Sequence, residues 1–420
     1  MPTKMYCAPC VAVSLLLLFP DTAVAHSALT IPRPRQAVDA DESPWGEKVP
    51  EKVPFEPWCP IPSRSAAGQD HRNLTGSNGE ACFWFSNGCA IGCDACDGST
   101  RGPIPTFVCV DGQIPDSCEV RPTPGPHHIE FGPQAPICGP NAPAPAAPGK
   151  SMNATICDPR QRTVNTAAKC GSPEDYFFYS PWRAPGFAPV IDSCGVAGGR
   201  IPGQGPGGFG AEYVETKHAK VGDLGSKVLK PLSTGVEWAR GLEYEVAWTL
   251  QANHGGGYSY RLCPASSNLD EDCFNSHPLM MVGQSALRWG GLGGHTIYFD
   301  PVTVTEGTRA GVMWRKNPVP RSWKTKQGKW GQGSNHLQVG MGFEPVCEDQ
   351  GMDLTGTQRS CTGMWGPYNL EIVDKVLIPK ELPLGEWVLN WRMDQEESNQ
   401  IWQSCADISI TSTDSRPTFI

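Results

Sequence analysis

The sequence predicts an all-β protein that folds as an antiparallel β-sandwich, and three observations support this. From about Val236 onward, short runs alternate apolar and polar residues, which is typical of strands that bury one face. Glycines and prolines separate these runs, and helical periodicity extends nowhere beyond a turn or two. Strands of this length and spacing are typical of β-sandwiches. The runs cover residues 244–250, 258–262, 296–299, 388–392 and 407–410.

The region before these runs has a different composition. From Cys59 to Cys194 it is dense in cysteine, proline and glycine, with proline-rich stretches at 122–126 and 140–148. Such a composition does not form regular strand ladders. We therefore expect a disulfide-stapled loop insertion at about residues 59–235, within a single domain that spans residues 26–411. A short tail at 412–420 follows the domain.

The first 25 residues predict a secretory signal peptide. Lys4 precedes an apolar run at 11–19, and the small-residue site Ala23-Val24-Ala25 follows it. The run is too short to span a membrane. Cleavage after Ala25 would leave His26 as the first residue of a secreted, extracellular protein.

The cysteine count agrees with export. Of the 18 cysteines, Cys7 and Cys10 lie in the signal peptide, which leaves 16, an even number that allows up to eight disulfides in an oxidising compartment. The sequence alone leaves their connectivity open. Two N-x-T sequons, at Asn73 and Asn153, predict a glycoprotein.

Charge and motifs exclude several classes of function. The net charge is -9 and no basic run appears, so we expect neither nucleic acid nor a membrane as a partner. The chain lacks G-x-S-x-G, H-E-x-x-H and a P-loop, which are motifs of common hydrolases and nucleotide-binding proteins. We expect the protein to be a monomer.

His26, once it is the first residue, offers two nitrogens to a metal: its free α-amine and its ring Nδ1. The amine has a reference pKa of about 7.7–8.0, so a metal can displace its proton near neutral pH. A nitrogen from a second histidine would complete a T-shaped site of three nitrogens, which suits copper. Taken alone, a histidine at a cleavage site is equally compatible with chance.

His254 is the candidate for the second histidine. It lies in the segment QANHGGGYSYRLCP (residues 251–264), where one strand ends, a glycine run turns and another strand begins. Glycines beside a ligand allow a backbone or a flat substrate to approach closely. Near the end of the chain, residues 402–408 have the sequence WQSCADI.

An N-terminal histidine together with these two segments resembles the lytic polysaccharide monooxygenases that share the chitin-binding type-4 fold, particularly their insect and other eukaryotic members. The cysteine-rich stretch at 81–98 is similar to one in algal and other microbial members. Its C-x6-C-x3-C-x2-C spacing is also compatible with a zinc or iron–sulfur site, but disulfides are the expectation in an exported protein. The resemblance implies an immunoglobulin- or fibronectin-like sandwich with long loops.

The resemblance also implies a copper enzyme in which His26 and His254 hold the metal on a flat, solvent-facing surface. An external electron donor would reduce the copper. Oxygen or peroxide would then oxidise C1 or C4 of an insoluble β-1,4-linked polysaccharide of the chitin or cellulose class. A carboxylate or amide near the copper is implied as well, and Gln395 or Glu396 lies in a suitable segment.

The sequence departs from this family at Trp402, where members usually carry Tyr or Phe beside the axial face of the copper. The resemblance implies that Trp402 closes that face as part of the catalytic site, and the alternative is that it packs in the sandwich. Two other functions stay open: a non-catalytic carbohydrate-binding protein with the same fold, and a copper-binding protein that binds no glycan. The choices between chitin and cellulose and between C1 and C4 are open too.

Overall fold

The computed structural model describes the strands of the sandwich and part of the chain that connects them. The predicted signal peptide, both sequons and most of the predicted cysteine-rich insertion lie outside the described residues. The described residues are 26–40, 81–86, 181–183, 185–199, 213, 215–252, 255–289, 295–305, 308–319, 370–395 and 400–412.

The described residues form thirteen strands and two short helices. Neither helix is long and apolar enough to cross a membrane, and the described residues contain no other that is. The strands are β1 (His26–Ile31), β2 (Trp84–Ser86), β3 (Val196–Ala197), β4 (Glu237–Ala239), β5 (Glu243–Ala252), β6 (Gly257–Pro264), β7 (Met280–Trp289), β8 (His295–Phe299), β9 (Thr303–Val304), β10 (Trp314–Lys316), β11 (Leu370–Leu377), β12 (Gly385–Asp394) and β13 (Ile401–Thr411). The helices are α1 (Gly225–Val228) and α2 (Glu271–Ser276), and 3-10 turns lie at Arg35–Ala37, Ala81–Phe83, Pro181–Arg183 and Arg309–Gly311.

The strands of the described chain form two sheets. One has five strands in the order β1-β5-β11-β7-β8. The other has eight, in the order β3-β2-β13-β12-β6-β10-β9, with β4 beside β13. The described strand pairs are antiparallel except for β4 with β13, which is parallel. The predicted all-β antiparallel sandwich is confirmed.

The core lies between the two sheets and is rich in aromatic side chains. The ring centroid of Trp248, in the five-stranded sheet, lies 4.8 Å from that of Tyr258 and 5.3 Å from that of Trp391, both in the eight-stranded sheet. All three side chains are buried. Because an aromatic side chain buries roughly 150–250 Å², such contacts dominate the packing of one sheet on the other.

Each predicted run lies within an observed strand, in β5, β6, β8, β12 and β13. Each observed strand is longer than its run, and β12 continues to Asp394 although Arg392 and Asp394 are charged. Sequence analysis did not identify the other eight strands, β1 to β4, β7 and β9 to β11, of which β2 and β3 lie within the predicted insertion. β2 pairs with β13, and β3 pairs with β2. Such pairings join residues far apart in sequence, so local periodicity does not reveal them.

One buried ion pair joins the two sheets. Arg315 of β10 donates from Nη1 to Oδ1 of Asp374 in β11 at 2.6 Å, and both side chains are almost fully buried. The hydroxyl of Ser285 in β7 donates to the same oxygen at 2.6 Å. Burial and the nearby Asp374 carboxylate raise the pKa values of Tyr258 and Tyr260 well above the usual range. Both phenols are therefore neutral at physiological pH.

Two disulfides fall within the described residues, Cys194–Cys405 and Cys263–Cys273. The first joins residues 211 positions apart and ties the segment 185–199 to β13. The second joins β6 to α2. Both cross-links hold irregular or helical segments against the eight-stranded sheet, as expected for a disulfide-stapled sandwich.

We predict that Asp374→Ala lowers the free energy of unfolding by about 3–5 kcal/mol, because the Arg315 guanidinium would stay buried without its partner. The double variant Asp374→Leu with Arg315→Met is the matched control and should lose much less, since neither charge remains buried. Urea denaturation measures both. A loss below about 1 kcal/mol for the single variant, the range of an exposed ion pair, would contradict this role.

Candidate metal centre

His26 lies at one end of the five-stranded sheet, as the first residue of β1. Its backbone pairs with Ala252, the last residue of β5. Ala252 precedes His254 by two residues in the chain. The side chain of His26 and the whole of His254 lie outside the described residues, so the two-histidine metal site stays a prediction.

Five strand ends meet at this end of the sandwich, which we call the histidine end. β1 begins there with His26 and β5 ends with Ala252, and the chain then turns into β6, which begins with Gly257. β12 ends with Asp394 and β13 begins with Ile401. The register pairs Asp394 with both Gly257 and Ile401. The histidine end thus combines strand ends from both sheets.

Strands β1 and β13 also touch directly. The backbone N–H of Leu29 donates to Ser404 Oγ at 3.3 Å. Both strands begin at the histidine end, so they run in the same direction from this contact. Their first residues, His26 and Ile401, each lie three residues before the contact.

Gly256 lets two parts of the histidine end approach closely. Its backbone has a φ of +93°, a conformation that favours glycine. A Cβ at this position would clash with the carbonyl oxygen of Asp394 and would lie 3.0 Å from Cα of Gln395. The glycine turn next to His254 therefore packs directly on the corner that follows β12.

Gln395 is fully buried at this corner. Its backbone is held on two sides, because its N–H donates to the carbonyl of Gln400 at 3.3 Å and its carbonyl accepts from the N–H of Trp182 at 3.1 Å. Its side-chain Oε1 and Nε2 are both buried, and neither has a hydrogen-bond partner within the described residues. Glu396, the other predicted candidate, lies outside the described residues.

Trp402 is fully buried in the core near the start of β13. Its ring stacks on Phe85 of β2, with centroids 4.3 Å apart and an interplanar angle of 24°, and its Nε1 donates to Gln400 Oε1 at 3.4 Å. The register pairs Trp402 with Met393. Trp402 therefore packs in the sandwich at the histidine end, and its predicted role beside copper stays a prediction.

These features fit a small metal centre. Within the described chain, no three His, Cys, Asp or Glu side chains lie close enough together to hold a metal. The predicted ligands are His26 and His254. An α-amine and imidazoles are donors that copper prefers. The buried amide of Gln395 offers a donor and an acceptor to anything bound there, and Gly256 keeps the adjoining turn free of a side chain.

Solved structures similar to this chain include lytic polysaccharide monooxygenases, proteins in complex with copper, and a chitin-binding domain. A lytic polysaccharide monooxygenase from Thermobia domestica in the Cu(I) state is 15% identical over 42% of this chain and 62% of that chain, with a TM-score of 0.19. A Bacillus amyloliquefaciens protein in complex with Cu(I) is 10% identical over 42% and 55%, with a TM-score of 0.18. A chitin-binding domain from Burkholderia pseudomallei is 11% identical over 46% and 66%, with a TM-score of 0.19. The alignments span less than two thirds of these chains.

No family model matches the sequence, and no curated protein matches it either.

A buried charge network supports the corner at Gln395 from the outer face of the eight-stranded sheet. Arg392 donates from Nε to Asp394 Oδ1 at 2.7 Å and from Nη1 to Glu271 Oε2 at 2.6 Å. The other oxygen of Asp394 accepts the N–H of Gly186 at 2.8 Å. The network therefore ties the end of β12 to helix α2 and to the segment 185–199.

Sequence analysis missed this network. Arg392 and Asp394 are fully buried, although they occupy the face of β12 that points away from the core. The alternation of Asn390, Arg392 and Asp394 with apolar residues predicts a solvated outer face. The structure differs because α2 and the segment 185–199 cover it. The sequence signal for this network is the set of three polar residues on one face of β12, because each of them needs a hydrogen-bond partner if that face is covered.

Glu271 of α2 completes the network. Burial alone would raise its pKa, but the guanidinium groups of Arg261 and Arg392, with the hydroxyl of Ser193, outweigh burial and hold the pKa of Glu271 well below its usual range. Arg261 donates to Glu271 at 2.7 Å. The carboxylate is therefore charged at any pH at which the protein would work.

We predict that Glu271→Gln lowers stability by about 3 kcal/mol at pH 7, because it leaves two buried guanidinium groups short of an anion. The pKa of Glu271 is depressed in the folded state, so its stabilisation is complete above the unfolded value of about 4.3 and is lost as pH falls below it. The difference between wild type and variant should therefore shrink between about pH 4 and pH 2. Urea denaturation across this range measures the difference, and a gap independent of pH would contradict the ion pairs.

Proposed function

We propose that this protein is a secreted, copper-dependent monooxygenase that cleaves an insoluble β-1,4-linked polysaccharide of the chitin or cellulose class by oxidation. The observation that carries the proposal is the position of His26, which begins β1 opposite Ala252. The predicted first residue of the mature chain is therefore paired with a residue that precedes His254 by two positions in the sequence. The activity is proposed because residues 251–264 and 402–408 resemble lytic polysaccharide monooxygenases.

Chain geometry limits the distance between the two proposed ligands. Paired Cα atoms in antiparallel strands lie about 4.5–5.5 Å apart, and two residues of chain span at most about 7 Å. Chain connectivity therefore allows a separation of at most about 13 Å between the Cα atoms of His26 and His254. This bound includes the shorter separations at which both residues could bind one metal ion.

The residues of this chain would then have distinct tasks. The α-amine and ring of His26 and the ring of His254 would hold the copper through three nitrogens. When bound, copper supplies the redox chemistry that activates oxygen or peroxide. The amide of Gln395 would orient the co-substrate by hydrogen bonding, and the indole of Trp402 would exclude water from the site.

The overall reaction balances with an external donor. Insertion of one oxygen atom into a sugar C–H bond needs either one hydrogen peroxide, which leaves water, or one O₂ with two electrons and two protons. The hydroxylated carbon, C1 or C4, then expels the glycosidic oxygen, and the chain breaks.

The function is tested with native-terminus protein loaded with copper and incubated with ascorbate and a panel of insoluble glycans. We expect oxidised oligosaccharides from chitin or cellulose by mass spectrometry, and none from His254→Ala or from metal-free protein. Binding to a glycan without oxidised products would support a carbohydrate-binding protein instead. Copper binding without any glycan interaction would support a copper-binding protein.

We predict that an extra Met before His26 weakens copper binding, because it converts the amine to an amide and removes one of three nitrogens. The loss should exceed the roughly 10–100-fold that removal of an outer-shell partner costs. Calorimetry with a competing chelator measures it, and a protein tagged at the C-terminus is the control. Equal affinity of the extended and native forms would exclude the N-terminal amine as a ligand.

We predict that Trp402→Phe leaves copper affinity nearly unchanged but alters the Cu(II) paramagnetic resonance spectrum and the rate of reoxidation, because a smaller ring would exclude water from the site less completely. Trp402→Ala should also cost about 3–5 kcal/mol of stability, because it empties a buried site. Phe85→Leu removes only the stacking partner, so it should lower stability without changing the spectrum. If no Trp402 variant alters the spectrum, the residue has a packing role alone.

A further inference from the structure

Strand β1 is weakly fixed by its own sheet. It is an edge strand with β5 as its neighbour, and its register with β5 shifts at both ends, between His26 and Ser27 and between Leu29 and Ile31. The ladder is regular only from Ser27 to Leu29. If His26 is the first residue of the mature chain, nothing before it can hold the strand, and chain termini fray unless they are tied down.

The turn that follows β1 docks on β13. Arg35 donates from Nε to Asp407 Oδ2 at 2.8 Å and from Nη2 to Asp407 Oδ1 at 2.5 Å. The side chains are mostly buried, with 5% of Arg35 and 13% of Asp407 exposed. A bidentate pair of this kind fixes direction as well as distance.

Gln36 adds a second link to the same strand. Its side-chain amide donates to the carbonyl of Cys194 and accepts from the N–H of Cys405, the latter at 3.1 Å. It thus bonds to the backbone of both cysteines of the Cys194–Cys405 disulfide, and it is 2% exposed. We call Arg35, Gln36 and Asp407 the β1 anchor.

We infer that the β1 anchor positions His26 for metal binding, so that Arg35, Gln36 and Asp407 are positioning residues. The inference rests on the proposed function. The anchor fixes β1 along β13, and β13 begins beside the corner that carries Gln395. A slip of one residue moves a strand by about 3.3 Å, whereas metal–ligand distances tolerate about 0.2 Å.

The first experiment is a double-mutant cycle on protein with a native N-terminus. Copper(II) affinity is measured by calorimetry with a competing chelator for wild type and Asp407→Asn. The same comparison, with and without Asp407→Asn, is made in a protein that lacks both metal donors of residue 26. In that protein His26→Ala removes the imidazole, and an added Met before residue 26 removes the free amine. We expect Asp407→Asn to weaken copper binding roughly 10–100-fold in the native background and to have no effect in the second.

Two outcomes would overturn the anchor: an equal loss in both backgrounds, which indicates a general structural effect, or no loss in the native background. Failure of the proposed function looks different, because the background without the residue 26 donors would then bind copper as tightly as wild type. If Asp407→Asn does not fold, Gln36→Leu, which removes both backbone links while keeping the side-chain size, takes its place in the cycle.

A second experiment needs no copper. Hydrogen exchange in the metal-free protein should be faster at Ser27, Ala28 and Leu29 in Asp407→Asn than in wild type. Asp270→Ala is the matched control, because Asp270 caps α2 by accepting the N–H of Cys273 at 2.9 Å and does not touch β1. Exchange that is unchanged in Asp407→Asn, or equally faster in both variants, would rule out the anchor.

Discussion

The period of two along β13 organises much of the described structure. Successive side chains of a strand point to opposite faces, so Trp402, Ser404 and Ala406 face the core or β1, while the residues between them face outward. The outward residues each hold a different element: Gln403 accepts from the Ser86 hydroxyl of β2, Cys405 is joined to the segment 185–199, and Asp407 binds the turn after β1. One strand therefore holds β2, the segment 185–199 and the turn after β1 in place on its outer face.

The outer face of the eight-stranded sheet carries buried charges, and their removal from water opposes folding. Burying Arg392, Asp394 and Glu271 removes charges from water, and their mutual attraction offsets that loss only when the geometry is good. Hydrogen bonds of 2.6–2.8 Å, together with the N–H of Gly186, meet this condition. An apolar surface could cover the sheet in several registers, whereas the paired charges allow one, and that one holds the end of β12 beside Gly256.

The sequence predicts five of the strands that follow Val236, because alternation is a local property of the chain. Histidine as a possible terminal ligand was also visible, since the cleavage site is local. The pairing of His26 with Ala252, the stacking of Trp402 on Phe85 and the burial of Arg392 were not visible. Each depends on contact between residues far apart in sequence, and the polar residues of β12 look solvent-exposed until the elements that cover them are known.

The buried side-chain amide of Gln395 affects the stability of the fold and lies at the proposed site. A buried polar group without a partner costs about 1–3 kcal/mol, and within the described residues both polar atoms of this amide lack one. An apolar residue of similar size would avoid that cost, because the backbone links of residue 395 to Gln400 and Trp182 do not use the side chain. The backbone position of residue 395 therefore does not depend on the amide, whose two polar atoms lack a partner within the described residues. Departures of this kind from full hydrogen bonding are concentrated at functional sites, and this one lies against the turn that follows β5, where the proposed copper ligand His254 lies in the sequence.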